Sequence, residues 1–184
     1  MDIPDNSRVS RFENFKQRSS NNFMSWTDLI EAAKSPVNVA KANAPCIVHH
    51  NLSVKTYPAV KSAEAMTMLS IDIDSGDMSI DDVHSKLTLL EITTAIIHST
   101  ATSKRLNSNN EVNGRKWRVL IPLTKSINCD RWIALQTALA TNFQSDDCVT
   151  KPTQILFLPN NPTITDPHEV QHYEFMILVG EPDE

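Results

Sequence analysis

The 184-residue chain contains no apolar run approaching the ~20 residues that a membrane-spanning helix needs. Its first residues, Met1-Asp2-Ile3-Pro4-Asp5, are acidic and polar and lack the basic-then-apolar plan of a secretory leader, so a cytoplasmic protein is expected. Cysteine is scarce. Cys46, Cys129 and Cys148 are scattered, odd in number and without Cys-x-x-Cys spacing, so they predict neither a zinc site nor a disulfide framework but three reduced thiols, some of them buried. No internal repeat and no low-complexity segment is seen. Positive charge is not in surplus either, since 17 Lys and Arg face 22 Asp and Glu for a net charge of −5. Nonspecific coating of nucleic acid runs on released counterions, so that class is disfavoured, whereas an enzyme with a few cations around an acidic metal centre is not. What remains is ordinary globular chemistry, 40% hydrophobic and 21% charged residues, in a length that suits one domain with one core.

Residues 1–22 are polar and basic-leaning, with Arg8, Arg11, Lys16 and Arg18. They read as a loosely ordered arm with a short helix around Phe12 to Phe15. Ser25, followed three residues later by Asp28, opens a helix whose apolar stripe is Trp26, Leu29, Ile30 and Ala33, and Pro36 ends it. Strands are expected at Cys46 to His49, weakly at Val54 to Tyr57, and strongly at Met66 to Ile73, which runs into the turn Asp74-Ser75-Gly76-Asp77. Ser79 caps a helix through Leu90 with Ile80, Val83 and Leu87 at helical spacing. Thr93 to Thr100 and Trp117 to Leu123 are β-rich around a polar loop, Cys129 to Asn142 is helical, and Gln154 to Leu158 and His172 to Val179 are strands. Interleaved strands and helices predict an α+β sheet with helices packed on one face. The main domain spans residues 23–180, and 181–184 form an acidic tail or linker stub.

Four segments carry candidate chemistry. In Leu69-Ser70-Ile71-Asp72-Ile73-Asp74, strand alternation sends Ile71 and Ile73 into the core and sets Asp72 and Asp74 side by side on the other face. Two such charges repel unless a cation sits between them, and a hard oxygen-loving ion, Mg²⁺ or Mn²⁺, is the natural partner. A turn-starting Asp74 beside a solvated Asp72 explains the same residues equally well. His98-Ser99-Thr100-Ala101-Thr102-Ser103 ends a strand in hydroxyls that suit phosphate oxygens or an ordinary turn. Lys116 and Arg118 share one face at the start of an apolar strand, a place that suits a triphosphate or plain solvated charge. Asp146-Asp147 precede Pro152-Thr153-Gln154-Ile155-Leu156-Phe157-Leu158-Pro159 and offer a third carboxylate or a turn.

Taken in order, these four segments resemble the primase-polymerase domain of the archaeo-eukaryotic primase superfamily, in the versions found in replication proteins of phages, plasmids and integrated elements. The likeness covers residues 26–162. Asp-x-Asp is common by itself; four such pieces in the right order are specific. The resemblance implies an RRM-like catalytic sheet with helices packed on it. It also implies template-directed primer synthesis from nucleoside triphosphates on single-stranded DNA, using two Mg²⁺ or Mn²⁺ ions. Asp72 and Asp74 would be the paired metal ligands, with Asp147, or else Asp146, as third carboxylate. Arg118 and Lys116 would face the triphosphate, with His98, Ser99 and Ser103 beside it. A replicative helicase, fused or separate, would be a further partner, and no membrane is involved.

One departure stands out. Such domains usually carry a histidine in the turn after the second strand, against the nucleotide's phosphates, and here Ser103 aligns with it. Either His98 has taken over that contact, as a group that titrates near neutral pH, or nucleotide binding is weakened and the chain is a noncatalytic module that binds DNA or a helicase partner. A metal-dependent nuclease lacks its His/Asp cluster. A histidine-based nickase is disfavoured because His49 and His50 are adjacent and point to opposite faces of a strand. His84, His168 and His172 read as surface or packing residues.

Overall fold

The computed structural model of the chain describes residues 8–105, 111–163 and 172–180. Along them run β1 Val9–Phe12, β2 Asn22–Met24, α1 Trp26–Lys34, β3 Cys46–Ile47, α2 Tyr57–Lys61, β4 Met66–Ile73, α3 Ile80–Leu89, β5 Ala95–Ser99, β6 Trp117–Ile127, α4 Cys129–Phe143, β7 Leu156–Phe157 and β8 Phe175–Leu178, with 3₁₀ turns at Lys41–Asn43 and Asp147–Thr150. The expected tail 181–184 and His168 lie outside the described residues. The strands form two antiparallel sheets, a small one ordered β2-β1-β3-β7 and a large one ordered β4-β6-β5-β8. The α+β class expected from the sequence is observed, but helices pack on both faces of the large sheet and not on one, α3 and α4 on one side and α1 on the other.

Local chemistry sets the helix starts. Ser25 Oγ accepts the Asp28 N–H at 3.2 Å while the Asp28 carboxylate accepts the Ser25 N–H at 2.8 Å. Ser79 and Asp82 repeat this at 3.1 and 2.8 Å, so each helix begins with two of its orphan donors satisfied. Three expectations need correction. Residues 8–22 are not a loose arm: β1 pairs with both β2 and β3, and Val9 and Phe12 are fully buried. The polar neighbours of this four-residue strand masked it, and its pairing partners are distant in sequence. No helix forms at 12–15, and Val54 to Tyr57 is not a strand, for Val54 makes only an isolated bridge to Ser19 and Tyr57 opens α2.

The large sheet is buried on both sides. Ile71, Ile73, Trp117, Val119 and Ile97 pack with Val83 and Leu87 of α3 and Leu139 and Phe143 of α4. On the opposite face Met68, Leu120 and Ile96 pack with α1 and with Val9, Ile47 and Leu156 of the small sheet. That second face changes character along its length. Ser70, Leu120 and Ile96 form one cross-strand row, Asp72, Arg118 and His98 form the next, and alternation places Asp74, Lys116 and Thr100 beyond them. The face runs from apolar core to charged cleft within a few residues of each strand.

β4 is an edge strand, and α4 covers its open backbone with side chains. Trp132 Nε1 donates to the Met68 carbonyl at 2.7 Å. Gln136 accepts the Ser70 N–H at 3.1 Å and donates to the Ser70 carbonyl. Beyond the helix, Ser145 Oγ accepts the Asp72 N–H at 2.9 Å and donates to the Asp72 carbonyl at 2.8 Å. An edge that would template foreign strands is thereby closed. Replacing Gln136 by Leu leaves both Ser70 groups buried without partners. It is expected to cost about 2–4 kcal/mol, read as a lower urea midpoint with unchanged slope, whereas outward-facing Thr137→Ala stays within about 0.5 kcal/mol of wild type.

Candidate active site

Where the second face of the large sheet leaves the core, Asp72, Asp74, Lys116 and Arg118 line one open cleft of about 560 Å³, together with Lys41, Thr100, Thr102, Asp146, Gln154 and Phe157 among others. The centre is an ion pair between the neighbouring strands β4 and β6. Arg118 Nε and Nη2 donate to the two oxygens of Asp72 at 2.6 and 2.7 Å, and Arg118 Nη1 donates to the Phe157 carbonyl at 2.9 Å. The side chains keep only 12% and 16% of their exposure. Burial opposes the guanidinium's charge, but the charge and hydrogen bonds of Asp72 outweigh it and raise the Arg118 pKa above its ordinary value. Asp74 is half exposed and lies 3.8 Å from Lys116 Nζ.

No protein-family model and no curated protein matches the sequence. Among solved structures, the chain aligns with the AEP domain of the cyanophage S-2L primase-polymerase over 98% of this chain and 84% of that one, with a TM-score of 0.53 and 11% identity. The chain has the fold of a primase-polymerase domain. The fold places the ends of β4, β5 and β6 side by side, and side-chain chemistry distinguishes what each end contributes.

Asp147, preferred from the sequence as third carboxylate, is not among the cleft residues; Asp146 is. The reason is local. The left-handed residue Gln144 turns the chain back after α4, and the Asp146 N–H donates to the Asp72 carbonyl at 3.1 Å. The Asp146 side chain caps the following 3₁₀ turn, and the Cys148 N–H it accepts holds its carboxyl below the ordinary range. Asp147 is carried outward as the first residue of that turn.

The His98-to-Ser103 segment is also redistributed. Ser103 is buried away from the cleft, with its hydroxyl accepting the Lys116 N–H at 3.0 Å and sitting 3.0 Å from His172 Nδ1. Ser99 Oγ accepts the Glu174 N–H at 2.7 Å and donates to the Glu174 carbonyl at 3.1 Å. The hydroxyl-bearing residues that line the cleft are Thr100 and Thr102, whose Oγ1 atoms lie 3.4 Å apart. His98 lies in a smaller side pocket of about 50 Å³ that shares Arg118, Thr100 and Lys41 with the cleft. Its Nδ1 lies 2.9 Å from the Ser99 carbonyl and so carries the proton, while the buried Nε2 has no partner among the described residues. Burial, and then the Arg118 charge, push the His98 pKa down to about 4. His98 is therefore a neutral imidazole at physiological pH, not the near-neutral titrating group expected.

The cleft's carboxylates are hard oxygen donors of the kind Mg²⁺ or Mn²⁺ takes, and in donor type they fit such an ion. Among the described residues no three His, Cys, Asp or Glu side chains gather closely enough to hold one, and both Asp72 oxygens are engaged by Arg118. A cation bound at Asp72 would have to take these two atoms from Arg118. Sequence reasoning missed Lys41, a lone lysine in a loop with no motif around it, and Phe157, whose apolar strand context gave no sign that its ring borders the cleft.

Two outcomes are expected. Arg118→Met leaves a largely buried Asp72 charge unpaired and costs about 3–5 kcal/mol, and Asp72→Asn/Arg118→Met recovers most of that in chemical denaturation. For acid stability, His98, His50 and His49 titrate near 4, 4 and 3 in the fold against an ordinary 6.5. The unfolded chain therefore binds protons first as pH falls. Stability is complete above about 6.5 and declines progressively towards pH 3–4, and His98→Gln flattens that decline.

Proposed function

We propose that this domain is the primase-polymerase of a mobile-element replication protein. Its reaction is template-directed primer synthesis from nucleoside triphosphates on single-stranded DNA, by two-metal-ion nucleotidyl transfer. The observation that carries this reading is the group of opposite charges, Asp72 on β4 and Asp74 just past its end against Arg118 on β6 and Lys116 just before its start, opening onto one cleft in a primase-polymerase fold. Asp72 and Asp74 would hold Mg²⁺ or Mn²⁺, with Asp146 as the third carboxylate. When bound, the ions supply Lewis-acid activation of the primer 3′-hydroxyl and neutralise charge on the leaving pyrophosphate.

The chain's own residues do the positioning. Arg118 presents a planar fork and Lys116 a mobile point charge to the triphosphate, and the Thr100 and Thr102 hydroxyls donate to its oxygens. The triphosphate offers Arg118 a substitute for Asp72, just as a cation offers Asp72 a substitute for Arg118. Metal and nucleotide therefore bind with positive, reciprocal coupling. A replicative helicase, fused or separate, belongs to the same reading.

The second reading, a noncatalytic module that binds DNA or a helicase, draws on Ser103, whose hydroxyl is spent on Lys116 N–H and His172 where a phosphate-facing histidine was expected. Primer synthesis on single-stranded DNA with Mg²⁺ or Mn²⁺ separates the two. The polymerase reading expects synthesis by wild type, a loss of about a hundredfold or more in Asp72→Ala/Asp74→Ala, and a KM for nucleotide raised about tenfold in Arg118→Lys, which loses the bidentate fork. A folded wild type that synthesises nothing while still binding DNA would sink it.

A further inference from the structure

The charge of this chain is divided unevenly. Residues 1–61 carry eight Lys and Arg against five Asp and Glu, a net of +3, while residues 62–184 carry nine against seventeen, a net of −8. The positive part builds most of the small sheet and its loops. On the side of that sheet turned away from the large one, Phe12, Cys46 and Val48 are fully buried and pack with the partly buried Ile155 and Phe157, so the surface there is made by the side chains and loops that lie over this row. Phe12, Cys46 and Phe157 form one cross-strand row, so at about 4.8 Å per strand the row reaches roughly 10 Å from the cleft.

Cations lie along that row. Lys41 Nζ sits 5.4 Å from the centre of the Phe157 ring at the cleft, and Lys55 Nζ sits 4.7 Å from that of Phe12. Past Phe12, the loop 13–20 and the segment 53–61, which includes α2, are tied together by the Ser20 N–H donating to the Ser53 carbonyl at 2.7 Å and by Lys55 Nζ donating to the Phe15 carbonyl at 2.8 Å. Lys16, Arg18, Lys55 and Lys61 in these segments face a single acid, Glu13, which Arg11 already pairs at 2.7 Å. Two aromatic rings stand out of the same segments, Phe15 at 40% and Tyr57 at 46% exposure, with Lys16 and Lys61 over their faces.

We propose that this cationic and aromatic face is the track of a single-stranded nucleic acid. Lysines spaced along it take successive phosphates, and Phe15 and Tyr57 stack bases. Alternating cations and exposed rings are the chemistry of sequence-tolerant single-strand binding. The face shares Lys41, Ile155 and Phe157 with the cleft, so a strand on it continues into the site. The template role of that strand rests on the polymerase reading; the binding itself does not.

The test is fluorescence anisotropy of a labelled oligo(dT) across a salt series. Lys16→Glu/Lys55→Glu is expected to weaken binding by at least about tenfold and to lower the slope of log K against log salt by about 1.4. Lys16→Glu/Lys61→Glu keeps the Lys55 hydrogen bond, guards against loss of folding, and is expected to do the same. Phe15→Ala/Tyr57→Ala weakens binding by about fivefold or more with the slope unchanged, and Lys125→Glu, a reversal at an exposed lysine of β6 outside these segments, serves as the control for a single charge reversal. The proposal is overturned if wild type does not bind oligo(dT), or if both reversals lose no more affinity than Lys125→Glu. Binding that follows this pattern in a protein that synthesises no primer would instead overturn the polymerase reading and leave this surface standing.

Discussion

The candidate site is organised around the contact between Asp72 and Arg118. Neither charge could stay where it is alone: both side chains are largely withdrawn from water, and removing either leaves the other uncompensated in a medium that solvates it poorly. Together they satisfy each other bidentately, and the third guanidinium nitrogen reaches Phe157 of the small sheet. One arginine thereby fixes β6 against β4 and the large sheet against the small one. The same contact leaves the central acid and the central base of the cleft in a mutually neutralised state.

That arrangement depends on β4 being held rigid although it is an edge strand. α4 does this by hydrogen-bonding to β4's open backbone through Trp132 and Gln136, and the segment after it continues the ladder with Ser145 and Asp146. The covering ends where Asp146 meets the Asp72 carbonyl, which brings a further carboxylate to the cleft. Edge protection and site assembly are thus one set of hydrogen bonds. The cost is carried by buried imidazoles. His49 lies between Ser70 and Trp132, and His98 completes the row beside Arg118, both held neutral by burial.

Much of this was legible along the chain, for local reasons. The helix caps at Ser25 and Ser79, the span of β4 from Met66 to Ile73, and the helical segment from Cys129 depend on neighbours a few residues apart. The alternation that sets Asp72 and Asp74 apart from Ile71 and Ile73 is likewise a property of the strand itself. Elements set by distant partners were not legible. β1 looked like a polar arm because its two-sided pairing to β2 and β3 is invisible in four residues, and Val54 to Tyr57 has strand-like composition but no strand to pair with.

The sequence by itself determined the α+β class, the helix starts and an acidic and a basic strand end of the right kind, because each rests on periodicity or on contacts within one turn. Only the tertiary structure decided which members of each group face the cleft. Asp146 was chosen over Asp147 by a left-handed turn and a hydrogen bond to Asp72. Thr100 and Thr102 were chosen over Ser99 and Ser103 because the latter hydroxyls are consumed by Glu174 and Lys116 backbone groups. Lys41 was brought in by the packing of one sheet against another. Adjacent residues of similar chemistry are equivalent to a reading of spacing, and they become different only when the fold gives one of them a partner and leaves the other facing the cleft.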